Sequence, residues 1–244
     1  MNIKPLICSL IFCLFFSSSS NAIIKVGTVL FDPPFVFSLN QGFDIQLMQQ
    51  ICTGMHEQCL LIPMDYNHLF QAINKGDIDL AIGGISIANN PSNQYFFSLP
   101  YMLSKGQFLV LKNSPIKSLN ALKGQKVGVL KGNPEGGVFV TYLAKTYPQQ
   151  FQVKEYDDVE DVLNALSNKE IAAGFLHRSS VLYWTQNGGG QFRTLARPTV
   201  IGSGIGILAG SKNAALIDQI NLLLQKMETN SAYLDLYNTY FANE

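Results

Sequence analysis

Residues 162–177, VLNALSNKEIAAGFLH, repeat residues 69–84, LFQAINKGDIDLAIGG, in order at an offset of 93. Ala72 meets Ala165, Ile73 meets Leu166 and Ile78 meets Ile171. Identity between the copies is low, but the order of character is kept. Each begins as a short helix with apolar residues on one face, passes a polar stop, and ends in an apolar run that reads as a buried strand. A unit present twice implies two similar bodies.

The flanking sequence extends both copies. Ahead of the first lie IIKVGTVL (23–30), a buried β-branched strand, and GFDIQLMQQICTGM, where Leu47, Ile51 and Met55 stripe a helix with Met48 and Cys52 beside them. LLIPMDY is the next strand, followed by the helix HLFQAINKG and the strand IDLAIGGIS. Ahead of the second copy, KVGVLKG (126–132) echoes KVGTVL, and VFVTYLAKTYP and FQVKEY supply a helix and a strand. Alternating strands and helices predict an α/β protein with mostly parallel open sheets flanked by helices.

After the second unit come the Gly-rich NGGGQ, a strand GSGIGILAG, and a helical tail, ALIDQINLLLQKMETNSAYLDLYNTYF, with no counterpart before residue 110. The economical solution is a chain that crosses to a second lobe near QFLVLKNS (107–114) and returns near RPTVIGSG (197–204). The expected division is residues 23–108 with 202–244 as lobe one, and 109–201 as lobe two. Two crossings make a hinge, and ligands of open parallel sheets bind beyond the carboxyl ends of the strands. Facing lobes would close over a small molecule there.

The first 22 residues, MNIKPLICSLIFCLFFSSSSNA, have one Lys, a short apolar run and small residues ending at Ala22. That layout predicts a cleaved secretory signal and a periplasmic protein. An uncleaved anchor is the alternative, and a lipoprotein through Cys13 is disfavoured by bulky Phe12. About 222 residues then remain, enough for two lobes. The chain carries 17 basic and 17 acidic residues, which leaves no electrostatic footprint for nucleic acid or an anionic membrane. No later apolar run is long enough to span a bilayer, so a soluble monomer is expected.

Cys52 and Cys59, with six residues between them, most simply form one disulfide in an oxidising compartment. His56 lies between them, but two thiols and an imidazole lack a fourth ligand, so no metal is expected; nor does any motif ask for a cofactor. NGGGQ lacks the strand-before, helix-after setting of a nucleotide loop.

Residues 80–104, LAIGGISIANNPSNQYFFSLPYMLS, contain no Asp, Glu, Lys or Arg. The stretch reads either as a surface loop with an Asn-Asn-Pro turn or as a ligand-holding lip of backbone N–H groups and amides. GFDIQLMQQIC with its second Cys, NKGDIDLAIGGISI, FFSLPY and VGVLKGN together resemble the periplasmic solute-binding proteins of polar amino-acid ABC transporters, above all the lysine/arginine/ornithine- and histidine-binding type. The resemblance covers residues 23–244. It implies two lobes, two hinge crossings and a cleft that closes on an amino acid.

It also implies binding positions. Asp32 stands where the family usually has a stacking aromatic, and Tyr66 matches a second stacking position. Gly84 and Ser86 match groups that meet the ligand carboxylate, as do Gly132 and Asn133 in the second lobe. The carboxylate-clamping Arg is replaced by Pro91, the ammonium-binding Asp by His177, and the Asp of F-S-D-P-Y by Leu99. Asn89, Asn90 and Asn93 remain as neutral donors, and Arg178 is an alternative cation, although neighbours on a strand face opposite ways. Each position has a plainer reading: Tyr66 as core, His177 as a satisfied histidine, Asp32 as a cap on its Pro-Pro turn.

Three functions follow as expectations. The first is capture of a small polar solute, an amino acid with a mild bias to basic ones, and delivery to an ABC permease. The second is an exported sensory or host-facing module that keeps the fold without transport. The third is a cyclohexadienyl-dehydratase-like enzyme, for which Asp32, Glu135 and His177 are the only candidate acids or bases, with no nucleophile–base pair among them. A binding protein rather than an enzyme is expected.

Overall fold

The computed structural model describes residues 23–88, 94–132 and 137–242. The signal segment 1–22 lies outside the described residues, as do Asn89, Asn90, Pro91, Asn93, Asn133 and Glu135.

Two five-stranded sheets organise the chain. In the first lobe β1 (Ile24–Thr28) is followed by α1 (Phe43–Met55), β2 (Cys59–Pro63), α2 (Tyr66–Lys75), β3 (Leu80–Ile82) and β4 (Tyr95–Phe97). The second lobe holds β5 (Lys105–Leu111), β6 (Lys126–Leu130), α3 (Val138–Thr146), β7 (Gln152–Tyr156), α4 (Val159–Ser167), β8 (Ala173–His177), α5 (Arg178–Asn187) and β9 (Phe192–Val200). The chain then returns with β10 (Leu208–Gly210), α6 (Ala214–Thr229) and α7 (Ala232–Phe241) to the first lobe. Sheet orders are β2-β1-β3-β10-β4 and β7-β6-β8-β5-β9. Within each, the first three strands named are parallel, the fourth runs antiparallel to them, and the fifth pairs antiparallel with the fourth and so runs with the first three.

The repeat persists in atomic detail. Gly76 N–H donates to Ile73 O and Asp77 N–H to Ala72 O; 93 residues on, Lys169 N–H donates to Leu166 O and Glu170 N–H to Ala165 O. Gly76 and Lys169 both adopt left-handed backbone, at φ 76° and 62°. This is the helix stop in which a left-handed residue turns the chain and the next apolar residue, Ile78 or Ile171, packs back. Gly27 in β1 and Gly128 in β6 leave room for that packing. A Cβ on Gly27 would meet Ile78 Cδ1 at 2.4 Å, and one on Gly128 would meet Ile171 Cδ1 at 2.6 Å.

The tail closes the first lobe. Phe43 of α1 sits among the rings of Tyr233, Tyr237 and Phe241 from α7, and α6 lays Leu223 against Gly54. Cys52 and Cys59 form a disulfide with a Cα–Cα distance of 6.1 Å, tying the end of α1 to β2.

Both links between the lobes run together. Tyr101 N–H donates to Ile205 O, Ile205 N–H to Met102 O and Ile201 N–H to Ser104 O. The first crossing comes earlier than the 107–114 expected from sequence, because β5 pairs from Lys105 onward with β8 and β9. The second lies between Val200 and Leu208. The expected strand over GSGIGILAG shrinks to Leu208–Gly210, with Ile205 bridging separately to Ser86 and Met102.

Candidate ligand cleft between the lobes

The turn after β3 carries the site. Gly84 has left-handed backbone at φ 65°, and a Cβ there would sit 3.3 Å from Phe35, 3.6 Å from Asp32 and 3.6 Å from His177. A side chain there would be strained by the left-handed backbone and would crowd Phe35. Asp44, in the first turn of α1, fixes this turn from below: Gly84 N–H donates to its Oδ2 at 2.7 Å, and Tyr101 Oη donates to the same oxygen at 2.9 Å. Burial raises Asp44 to about 7 despite these donors. Ser86 Oγ lies 2.7 Å from Ser104 Oγ of the hinge link.

His177 ends β8 and crosses to the first lobe. Its Nε2 is 2.8 Å from Gly84 O and 3.3 Å from Ser86 Oγ. A carbonyl oxygen only accepts, so Nε2 carries the proton. The ring packs edge-on against Phe35 and Phe139, and desolvation holds its pKa down to about 4, so it is neutral near pH 7. Asp32 is 3 % exposed and accepts a 2.6 Å hydrogen bond from Ser180 Oγ of α5. Burial pushes its pKa up to about 7, with Ser180 opposing and Asp44 adding to the rise. Phe31 meets Trp184 and Phe37 meets Tyr183 along the same seam. The lobes thus touch directly through groups that burial holds back from charge.

Beside this seam is a cavity of about 450 Å³, within the range of small-ligand sites. The first lobe lines it with Tyr66, Phe70, Ser86, Tyr95 and Phe97, the second with Gly132, Phe139, Tyr142 and Lys145, and the return crossing with Val200 and Gly202. Six rings, the hydroxyls of Ser86, Thr141 and Thr146, and one cation face the space, and no carboxylate among the described residues does.

Of the positions singled out in the sequence, Tyr66, Ser86 and Gly132 line the cavity. Gly84 and His177 lie in the adjoining lobe contact, as does Asp32, whose carboxyl is taken by Ser180. Asn89 and Asn133 lie outside the described residues. Arg178 lines neither the cavity nor the contact with Gly84. Asp44, Tyr101, Ser104, Ser180, Phe139 and Lys145 went unnoticed in the sequence. Only Asp44 left a signal there, as an acid in the first turn of a helix whose other early residues are apolar.

Two similar α/β lobes, a double hinge and a cleft cavity between the lobes define a hinged binding protein. Residues 24–243 match the model of the bacterial extracellular solute-binding proteins, family 3, and the chain belongs to that family. The family binds substrates for transport, so the chain is a binding protein and not an enzyme. It is 25% identical over 219 residues to an arginine-binding periplasmic protein of Mannheimia haemolytica, covering 87% of this chain and 88% of that one. Among solved structures, it is similar to an arginine third transport system periplasmic binding protein from Legionella pneumophila (32% identity, TM-score 0.82, 90% of this chain and 99% of that one). It is also similar to the GluR0 ligand-binding core from Nostoc punctiforme in complex with L-glutamate (29% identity, TM-score 0.76, 89% and 99%).

Proposed function

We propose that this chain is the substrate-binding component of an ABC transporter: a periplasmic monomer that captures an amino acid or a close derivative between its lobes and delivers it to a membrane permease. The observation that carries the reading is the partly open cavity of about 450 Å³ shared by both lobes and the hinge, with Tyr66, Ser86 and Gly132 on its wall. The arginine-binding relatives support the ligand class.

The mild expectation of a basic ligand rested on the family members the chain resembles and on Asp32, and the burial of Asp32 with its bond to Ser180 removes the second of these reasons. Lys145 suits a ligand's acid group instead, with Tyr66 and Phe139 stacking on its body.

A thermal-shift screen of residues 23–244 against the 20 common amino acids, ornithine, citrulline and small peptides tests the reading. A ligand at 100 times its dissociation constant adds about 2.7 kcal/mol of stability. A flat response to every compound would reject the amino-acid assignment.

The second reading, an exported sensory module that has kept the fold without transport, draws on the similarity to the ligand-binding core. An amino acid that binds in the screen yet is taken up equally by cells with and without this chain would favour it.

A further inference from the structure

A second cavity, of about 340 Å³, lies at the hinge, and none of the residues lining it lines the cleft cavity. Lys105 at the start of β5 and Arg178 at the start of α5 both face it. Neither makes an ion pair among the described residues; the one side-chain bond of Arg178 is a long 3.4 Å contact with Gln107 Oε1. No acid among the described residues lines the cavity to balance them. Two unpaired cations at one concavity concentrate positive potential there.

Two independent features make this more than a basic patch. Arg178 and Ser179 form the first turn of the ten-residue α5, whose N–H groups lack intrahelical partners. Ser179 lines the cavity, is only 7 % exposed, and its side chain makes no hydrogen bond among the described residues. An acid group in the cavity would give that hydroxyl an acceptor. The rest of the wall is apolar and aromatic: Tyr101 from the hinge link and Tyr233 and Tyr237 from α7, with Met102, Leu103 and Ile205 between them and His177 at the side of the lobe contact.

We propose that this hinge cavity is a second binding site, for a small organic anion with a flat apolar body. Its carboxylate or phosphate sits against Lys105, Arg178 and Ser179, and its body lies against the three tyrosines. Because α7 belongs to the first lobe and α5 to the second, the occupant touches both and stiffens the hinge. The assignment does not depend on which solute fills the cleft.

Calorimetric titration of residues 23–244 with benzoate and with phenyl phosphate tests it, with benzyl alcohol and benzylamine at equal ionic strength as uncharged and cationic controls. One or both anions bind saturably, at least tenfold tighter than either control; preference between them tells a carboxylate site from a phosphate site. Arg178→Gln weakens binding about tenfold, the size of one charge-assisted hydrogen bond, and the Lys105→Gln/Arg178→Gln double variant weakens it further. Lys145→Gln, which removes the cation of the other cavity, leaves it unchanged. Melting curves without anion establish that each variant is folded, and Arg178→Gln alone serves if the double variant is not. Absence of saturable binding by either anion, equal binding of the controls, unchanged affinity in Arg178→Gln, or a loss confined to Lys145→Gln would overturn the proposal.

Discussion

Asp32 and His177 are displaced from their ordinary titration in opposite directions, and that sets how stability varies with pH. His177 is lowered to about 4 from an ordinary 6.5. Between those values the unfolded chain binds more protons, so the stability His177 provides is full above pH 6.5 and is lost as pH falls through 4. Asp32 is raised to about 7 from 3.8. There the folded chain binds more protons, so its contribution is full below pH 3.8 and is lost as pH rises through 7. Either shift corresponds to about 3–4 kcal/mol at most. Asp32→Asn, which keeps an acceptor for Ser180 but cannot ionise, should therefore gain stability relative to the parent by about 2 kcal/mol or more between pH 5 and pH 8 in urea unfolding. His177→Gln should flatten the decline on the acid side. The sequence placed Gly84 and His177 at the last matched pair of its repeat, and they meet in space. It gave no hint of Ser180, because a serine's partner across 148 residues leaves no local pattern.

Among the elements, the repeat offers a direct exchange. Lys169 holds a left-handed position that Gly76 fills in the other copy, and a side chain there costs roughly 1 kcal/mol. Lys169→Gly should stabilise the chain and Gly76→Lys destabilise it, each by up to about 1 kcal/mol in urea unfolding. Reducing the Cys52–Cys59 bridge should cost about 2.5 kcal/mol, the loop-closure value for so short a ring, readable as a lower melting point in dithiothreitol. The elements legible in the sequence were β1, α1, β2, the α2–β3 unit, β6, α3, β7, the α4–β8 unit and the helical tail of α6 and α7. α5 was missed because RSSVLYWTQN starts directly after β8 with no intervening turn and mixes apolar with polar residues on both faces. β9 was missed because Pro198 and the left-handed Ala196 break its alternation, which the edge of a sheet tolerates. Without α5 and β9, the partners of Asp32 and the wall of the hinge cavity could not be seen.

At the scale of the whole molecule, the two-lobed plan was readable because order, not identity, carries it. What escaped was how the lobes meet, since contacts across a cleft follow neither helical nor strand spacing. Trp184, the one tryptophan, lies on α5 against Phe31 of the first lobe and reports on that contact. Removing both side-chain links, with Ser180→Ala and His177→Ala together, should open the lobes: emission from Trp184 shifts to the red and the radius of gyration from solution scattering rises. An unchanged spectrum and radius would mean that the aromatic seam, with the Tyr66 N–H bond to Asp157 O, keeps them shut. The cavity's role is tested most directly by calorimetric titration of residues 23–244, and of their Tyr66→Ala variant, with amino acids and their derivatives. One-to-one binding of at least one of them, weakened about tenfold or more by loss of the stacking ring, is the predicted result. Failure of every such compound to bind, or equal affinity in the Tyr66→Ala variant, would contradict it.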